Sequence, residues 1–289
     1  PVPAPHQALI AVESFSLNFG ELDLLHGEQP GAVLGRDSAG VVVRPASDGS
    51  GPAAGARVAA FGLGGGWAEL RAVDPAELAV LPDAVDLGTA ATLPAAGVSA
   101  LRAVRRLGSL LGRRVLVTGA SGGVGRFAVQ LAALSGAHVI ASVGTRARGA
   151  GLRDLGAAEV VVGLDEVTEP VHAALDNVGG PLLAQALDLV AEHGAVIQIG
   201  AASNQPTTLT LAHKLVNKRL DLFVVGEGLT TTPNGVWNFG PDIALLAELV
   251  AAHRLTPHIG WRGPWHRAPE AVEALRSRRV AGKAVLDIT

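Results

Sequence analysis

The hydrophobic pattern of the chain changes period near residue 95. Before that point, short alternating runs dominate: Gln7 to Val12, Ala39 to Arg44, Arg57 to Phe61 and Trp67 to Val73. Apolar residues at every second position predict half-buried strands. Glycine turns at Gly49-Ser-Gly51 and Gly64-Gly-Gly66 separate them. From Leu87 onward the spacing becomes helical. Helices are predicted over 90–93 and 98–107, split by Pro94. Strands at 114–118, 138–143, 159–162, 171–175, 195–199 and 220–225 then alternate with helices at 123–135, 147–155 and 181–192. Such alternation predicts a parallel, doubly wound α/β sheet. A glycine- and threonine-rich loop follows Gly226, then helices over 241–253 and 268–278 and a last strand over 283–288. The fold class is therefore α/β, with an irregular, mostly β domain formed by the first third of the chain.

One junction carries specific chemistry. Arg114-Val-Leu-Val-Thr-Gly119 reads as a buried strand, and a helix follows with apolar residues at Val124, Phe127, Ala128, Leu131 and Leu134. The turn between them, Ala120-Ser121-Gly122-Gly123-Val124-Gly125, is a variant of the dinucleotide-binding fingerprint with alanine at the first glycine. Gly122 lets backbone approach a pyrophosphate, and Gly125 lets the helix sit close on the strand. The helix start presents free N–H groups and a positive dipole end to an anion. The bland alternative is a tight βα turn that binds nothing.

The second strand of this unit decides which nucleotide fits. Enzymes using NAD place an acidic residue there, about 20 residues past the glycines, on the ribose 2′-hydroxyl. Here the strand runs into Gly144-Thr145-Arg146-Ala147-Arg148, and no Asp or Glu occurs from Leu87 to Arg153. Thr145, Arg146 and Arg148 suit a 2′-phosphate through charge-assisted hydrogen bonds. The expected cofactor is NADP(H); the alternative is that these arginines are merely solvated.

Composition removes several classes. With 289 residues, 48% apolar and 17% charged, the chain has material for two domains with a large core. A net charge of −3 gives no reason to expect nucleic acid or a membrane surface. No apolar run approaches the roughly 20 residues of a membrane span, and no signal peptide is visible, so a cytoplasmic location is expected. The absence of cysteine removes disulfides and thiolate zinc sites. The absence of tyrosine removes any mechanism with a phenol as acid. The absence of methionine places residue 1 inside the gene product or after a processing site.

Several segments together resemble the medium-chain dehydrogenase/reductase superfamily, in its zinc-independent quinone oxidoreductase (zeta-crystallin-like) branch. They are Ser16-Leu-Asn18-Phe-Gly-Glu21-Leu-Asp23, Gly35-Arg36-Asp37-Ser-Ala-Gly40, Leu93-Pro-Ala-Ala-Gly-Val-Ser99, the glycine turn, Leu175-Asp-Asn177-Val-Gly179 and Gly282-Lys-Ala-Val-Leu. The resemblance implies a GroES-like catalytic domain from residues 1–97 and 229–289 around a Rossmann domain at 98–228, with the active site in the cleft. It also implies a β-strand upstream of Pro1. Asn18 matches the family asparagine beside nicotinamide and substrate, suited to hydrogen-bond the acceptor oxygen; its other reading is a cap for a short helix near 19–25. Glu21 stands where many relatives carry Asp, and Asp23 where some carry an aromatic. Ser99 matches a hydroxyl near the nicotinamide amide, and Asn177, Gly200 and Phe223 complete the implied cofactor set.

The resemblance also marks a departure. Zinc-dependent members carry Gly-His-Glu-x-x-Gly, and this chain has Arg36 at the histidine position. A permanently cationic guanidinium does not ligate zinc, so no metal is expected. Without a Lewis acid, an already electrophilic acceptor is favoured: a quinone or an α,β-unsaturated carbonyl. The alternatives are an enoyl-thioester reductase and a non-catalytic NADPH-binding protein. The strand over 219–226 is apolar on both faces yet falls at a sheet edge, and the resemblance implies that two such edges pair in a homodimer.

Overall fold

The computed structural model describes residues 1–22, 25, 31–210, 217–223 and 238–288. Asp23, the end of the strand predicted over 220–225 and most of the loop predicted after Gly226 lie outside them. The chain forms two compact units, Pro1–Val98 with Gly226–Thr289 and Ser99–Val225.

The first unit opens with β1 (Ala8–Leu17), β2 (Asp37–Arg44), β3 (Arg57–Ala60), β4 (Leu70–Val73), β5 (Leu78–Val80) and the short α1 (Leu87–Ala90). Pro94 sits in a π-helical turn at Leu93–Gly97, which runs into α2 (Val98–Arg106). The second unit holds β6 (Arg114–Val117), α3 (Gly123–Leu134), β7 (His138–Val143), β8 (Ala157–Val162), β9 (Val171–Asp176), α4 (Gly180–Leu189), β10 (Val190–Gln198) and β11 (Arg219–Leu222). The chain then returns to the first unit as α5 (Gly240–Ala251), β12 (Ile259–Pro264), α6 (Ala268–Arg276) and β13 (Lys283–Asp287).

In the first unit, the sheet runs β12-β13-β1-β2-β3-β5, with β4 also paired to β1. The last strand therefore lies against the first, in antiparallel register from Ser14 opposite Asp287 to Leu17 opposite Ala284. Phe61 and Phe239 stack with centroids 3.9 Å apart, both fully buried, and tie the two segments of this unit together. Burial of each ring contributes about 1.5–3 kcal/mol. Two strands, β5 and β12, escape sequence patterning. β5 is only three residues long, and β12 carries Gly260, Gly263 and Pro264, tolerated because it lies at a sheet edge.

In the second unit, six parallel strands take the order β8-β7-β6-β9-β10-β11. The order reverses between β6 and β9, and open sheets of this kind bind ligands at the carboxyl ends of the strands beside that reversal. Leu116, Ile140, Val161, Ala174 and Val196 fill the core against Leu183 and Leu187 of α4. Two predicted elements differ. The helix expected over 147–155 is only a 3₁₀ turn at Arg146–Gly149; Gly149, Gly151 and Gly156 cannot sustain a helix at low entropic cost. The helix expected over 181–192 stops at Leu189, and β10 begins at once. A Cβ at Gly194 would stand 2.4 Å from the His172 carbonyl of β9, so close strand pairing overrides the local helical spacing. β11 is an edge strand, and its Leu222 is 66% exposed. No helix among the described residues is long and apolar enough to cross a membrane.

Candidate active site

In the second unit the glycine turn follows β6 at the strand-order reversal. Ala120 N–H donates to the Ser142 carbonyl at 3.0 Å and Gly122 N–H to the Gly119 carbonyl at 3.0 Å, which folds the turn tightly. Gly119 holds a left-handed φ of +58°, with Val178 and Asn177 packed on its open side. A Cβ at Gly125 would lie 2.3 Å from the Gly119 carbonyl oxygen, so α3 packs here only because residue 125 is glycine. Gly122 caps α3 without a side-chain hydrogen bond. The first N–H groups of the helix, at Gly123, Val124 and Gly125, thus have no intrahelical partner and suit a phosphate.

The neighbouring strand end is built around Asp176. Its carboxylate accepts from Thr118 Oγ1 at 2.6 Å and from Gly179 N–H at 2.8 Å. Burial pushes this carboxyl above its usual range, against the pull of those hydrogen bonds. Asn177 donates its amide to the Thr118 carbonyl at 2.9 Å, while its Oδ1 is buried without a partner. Gly200 packs against Asn177, 3.0 Å from its carbonyl oxygen to a would-be Cβ. An orphan acceptor beside a glycine turn is what a ribose hydroxyl or amide N–H of a bound nucleotide would satisfy.

Two arginines bracket Ser121. Arg148 Nε donates to its hydroxyl at 2.9 Å, and the buried Arg126 donates to its carbonyl at 3.4 Å and to the Ala150 carbonyl at 3.1 Å. Burial and the nearby Arg148 charge push the Arg126 guanidinium down from its ordinary pKa. Like charges held this close to the glycine turn favour an anion between or beside them. Thr145 and Arg146 are exposed, and the Thr145 carbonyl accepts from Arg148 N–H at 3.0 Å. Ser99 is buried on α2. Phe223 is buried under the Arg106 guanidinium, 4.9 Å from the ring centroid.

In the first unit, strand register assembles a buried polar cluster. Pairing of β1 with β2 sets Ser16 opposite Asp37, and pairing of β1 with β13 brings Lys283 beside Asn18. Asp37 is fully buried and takes four donors: Ser16 Oγ at 2.8 Å, Asn18 Nδ2 at 2.9 Å, Lys283 Nζ at 3.3 Å and Ala95 N–H at 2.8 Å. Glu21 accepts from the Asn18 backbone N–H at 2.9 Å, from Asn18 Nδ2 at 2.7 Å and from Arg36 N–H at 2.8 Å. Burial, then the neighbouring Asp37 charge, pushes the Glu21 carboxyl upward; Asn18, Lys283 and Arg36 oppose that shift. Arg71 closes the cluster from β4, donating to Ser38 Oγ at 2.7 Å and to the carbonyls of Arg36 and Gly64. Burial pushes its guanidinium down to about 10.

These partners leave one orientation for the Asn18 amide. Lys283 Nζ only donates, so the atom facing it is Oδ1, and both N–H groups of Nδ2 lie on carboxylates. Asn18 is at the same time the N-cap of a 3₁₀ turn at Phe19–Glu21, the capping role that the sequence offered for it. Its amide has no N–H left for an acceptor oxygen; what it still offers is a lone pair of Oδ1. Asp37, Lys283, Arg126 and Asp176 are absent from the residues picked by sequence. Asp37 and Lys283 stand inside quoted motifs, and Arg126 directly follows Gly125, but nothing in their spacing shows that they converge. Among the described residues, no group of three His, Cys, Asp or Glu side chains is placed to hold a metal ion.

The profile of the alcohol dehydrogenase GroES-like domain matches residues 4–83, and that of the zinc-binding dehydrogenases matches 154–286. A mitochondrial NAD(P)H oxidoreductase of Mus musculus is 30% identical over 91% of this chain and 72% of its own length. A polyketide synthase of Streptomyces halstedii is 31% identical over 98% of this chain, which spans only 5% of that protein. Among solved structures, the quinone oxidoreductase from Coxiella burnetii is 26% identical, with a TM-score of 0.84 over 100% of this chain and 92% of its own. The Escherichia coli quinone oxidoreductase complexed with NADPH shares the fold at a TM-score of 0.88 and 23% identity, over 99% of this chain and 93% of its own.

Proposed function

The chain belongs to the zinc-independent medium-chain dehydrogenase/reductase family, in its quinone oxidoreductase branch, and from that premise we propose that it transfers hydride from NADPH to a quinone or an α,β-unsaturated carbonyl compound. Membership makes it an oxidoreductase of the nicotinamide-dependent kind, and the choice of NADPH and of acceptor is our reading. The glycine turn, the orphan Asn177 Oδ1 and the uncapped start of α3 fit the pyrophosphate and ribose of such a cofactor. When bound, the nicotinamide supplies a hydride. The protein's part is to hold the cofactor and acceptor in register, to present Asn18 Oδ1 to a donor and to exclude competing groups.

The observation that carries the preference for NADPH is the pair Arg126 and Arg148 around Ser121, in a stretch without acids. NADPH should bind on the order of 10- to 150-fold more tightly than NADH, as expected for charge-assisted hydrogen bonds of about 1.5–3 kcal/mol. Fluorescence titration of both nucleotides, on the wild type and on Arg148→Ala combined with Arg146→Ala, measures this. Equal affinities in the wild type would sink it.

A second reading, enoyl-thioester reduction, is favoured by the 31% identity to a polyketide synthase. Initial rates of NADPH oxidation with a quinone panel against a crotonyl thioester separate the two. Tight NADPH binding without turnover of either class would instead support a non-catalytic role. The same family reading extends to a homodimer closed by pairing of two β11 edges, where Leu222 is exposed. Light scattering at low micromolar concentration should give twice 29.3 kDa, and a monomeric mass would remove the dimer.

A further inference from the structure

We infer that Arg36 is a catalytic residue of this site, the donor that holds the carbonyl oxygen of the acceptor while hydride is delivered. The inference rests on the reductase reading above. A hydride acceptor of this class develops negative charge on its oxygen, and that charge needs a donor. Asn18 cannot supply it, because both N–H groups of its amide lie on Glu21 and Asp37. Lys283 is buried and engaged with Asn18 and Asp37. Arg71 is buried and engaged with Ser38 and two carbonyls.

Arg36 differs from all three. Its backbone is clamped on both sides, its N–H on Glu21 at 2.8 Å and its carbonyl under Arg71 at 3.1 Å. Its side chain has no hydrogen-bond or ion-pair partner among the described residues, and its Nε is buried and unsatisfied. A buried cationic N–H without an acceptor costs stability, and a ligand oxygen would recover that cost. One Glu21 carboxylate takes Asn18 Nδ2 on Oε2 and the Arg36 backbone N–H on Oε1, so the two residues are held side by side. The other orphan donor among the described residues of this unit, Trp67 Nε1, belongs to a ring packed 6.1 Å from Phe15 and is assigned no role.

For an enone, hydride adds to the β-carbon, the C=C pair moves into the bond between the α-carbon and the carbonyl carbon, the C=O pair moves onto oxygen, and the Arg36 guanidinium holds the resulting enolate oxygen. The hydride would come from the reduced nicotinamide, leaving it oxidised, and a proton from water would close the α-carbon.

The test uses Arg36→Met and Arg36→Lys in the full chain, with far-ultraviolet circular dichroism to establish folding. With 2-cyclohexenone and NADPH, Arg36→Met should lower kcat/KM about 100-fold, the usual effect of removing one oxyanion donor. Arg36→Lys, which keeps a cationic donor, should recover at least part of the loss. Binding of cyclohexanone, which cannot be reduced at a C=C bond, should weaken about 10-fold or more in Arg36→Met, while NADPH affinity stays within roughly threefold. Unchanged kcat/KM or unchanged ketone binding in Arg36→Met would overturn the assignment. A wild type that turns over neither enone nor quinone would overturn the reductase reading itself, and the ketone titration would still decide whether Arg36 binds a carbonyl oxygen. Should Arg36→Met not fold, Arg36→Ala takes its place with the same expected losses, and unchanged kcat/KM or unchanged ketone binding there overturns the assignment.

Discussion

Asp37→Leu should lower the unfolding free energy by about 3–5 kcal/mol, the usual cost of leaving a buried charge without its partner. Four donors converge on this one carboxylate, from β1, the Asn18 turn, β13 and the Leu93–Gly97 turn. Leucine fills the volume but leaves Lys283, only 2% exposed, facing apolar carbon and the Asn18 oxygen. Ala95 N–H loses its acceptor as well. The double variant Asp37→Leu with Lys283→Met should be more stable than Asp37→Leu alone, because it removes both charges together. Urea unfolding of the three proteins measures both statements. A loss under about 1 kcal/mol in Asp37→Leu, below the range for a broken buried pair, would mean that the cluster is hydrated and that the Asn18 orientation lacks its anchor.

Gly125→Val should reduce nicotinamide nucleotide binding by more than about 100-fold and lower the melting temperature by several degrees, as overpacking costs about 1–3 kcal/mol. The new Cβ would stand 2.3 Å from the Gly119 carbonyl oxygen and 2.8 Å from Ala120 Cα. Both are backbone atoms, so the glycine turn itself must move. Gly122→Ala is the informative control. Its nearest atom is the Gly119 carbonyl oxygen at 3.4 Å, and its φ of −79° suits any residue. It should therefore melt close to wild type while still weakening the nucleotide, because a methyl group occupies the approach of the pyrophosphate. Nucleotide titration and thermal melts on both variants test the pair. Near-normal binding by Gly125→Val, or undiminished binding by Gly122→Ala, would take the turn out of the cofactor site.

The two predictions probe features of different origin. The turn is local: Gly119 to Gly125 are contiguous, Gly119 holds a left-handed φ and Gly125 meets the Gly119 carbonyl six residues back. The Asp37 cluster is non-local, drawing on residues 16, 18, 37, 95 and 283, whose adjacency depends on two strand registers. Sequence spacing therefore reached the first and missed the second, although the motifs Gly35-Arg36-Asp37 and Gly282-Lys283 both stood in view. The same difference explains the misplaced helices. Glycines at 149, 151 and 156 were visible, but the switch from α4 to β10 at Val190 reflects pairing with β9, which no helical period reveals.

The sequence by itself determined the α/β class, the parallel sheet, the glycine turn and the family, because buried strands, helix faces and tight turns are dictated by residues close in the chain. The acid-free arginine stretch was likewise legible, since charge is a property of residue type. Only the tertiary structure decided that β13 pairs with β1, that Lys283 fixes the Asn18 amide with both N–H groups turned inward, and that Arg36 has a buried donor to offer. Each of these depends on a hydrogen bond or register between residues tens to hundreds of positions apart, and the free energy of such a contact is set by burial and geometry that spacing along the chain does not encode.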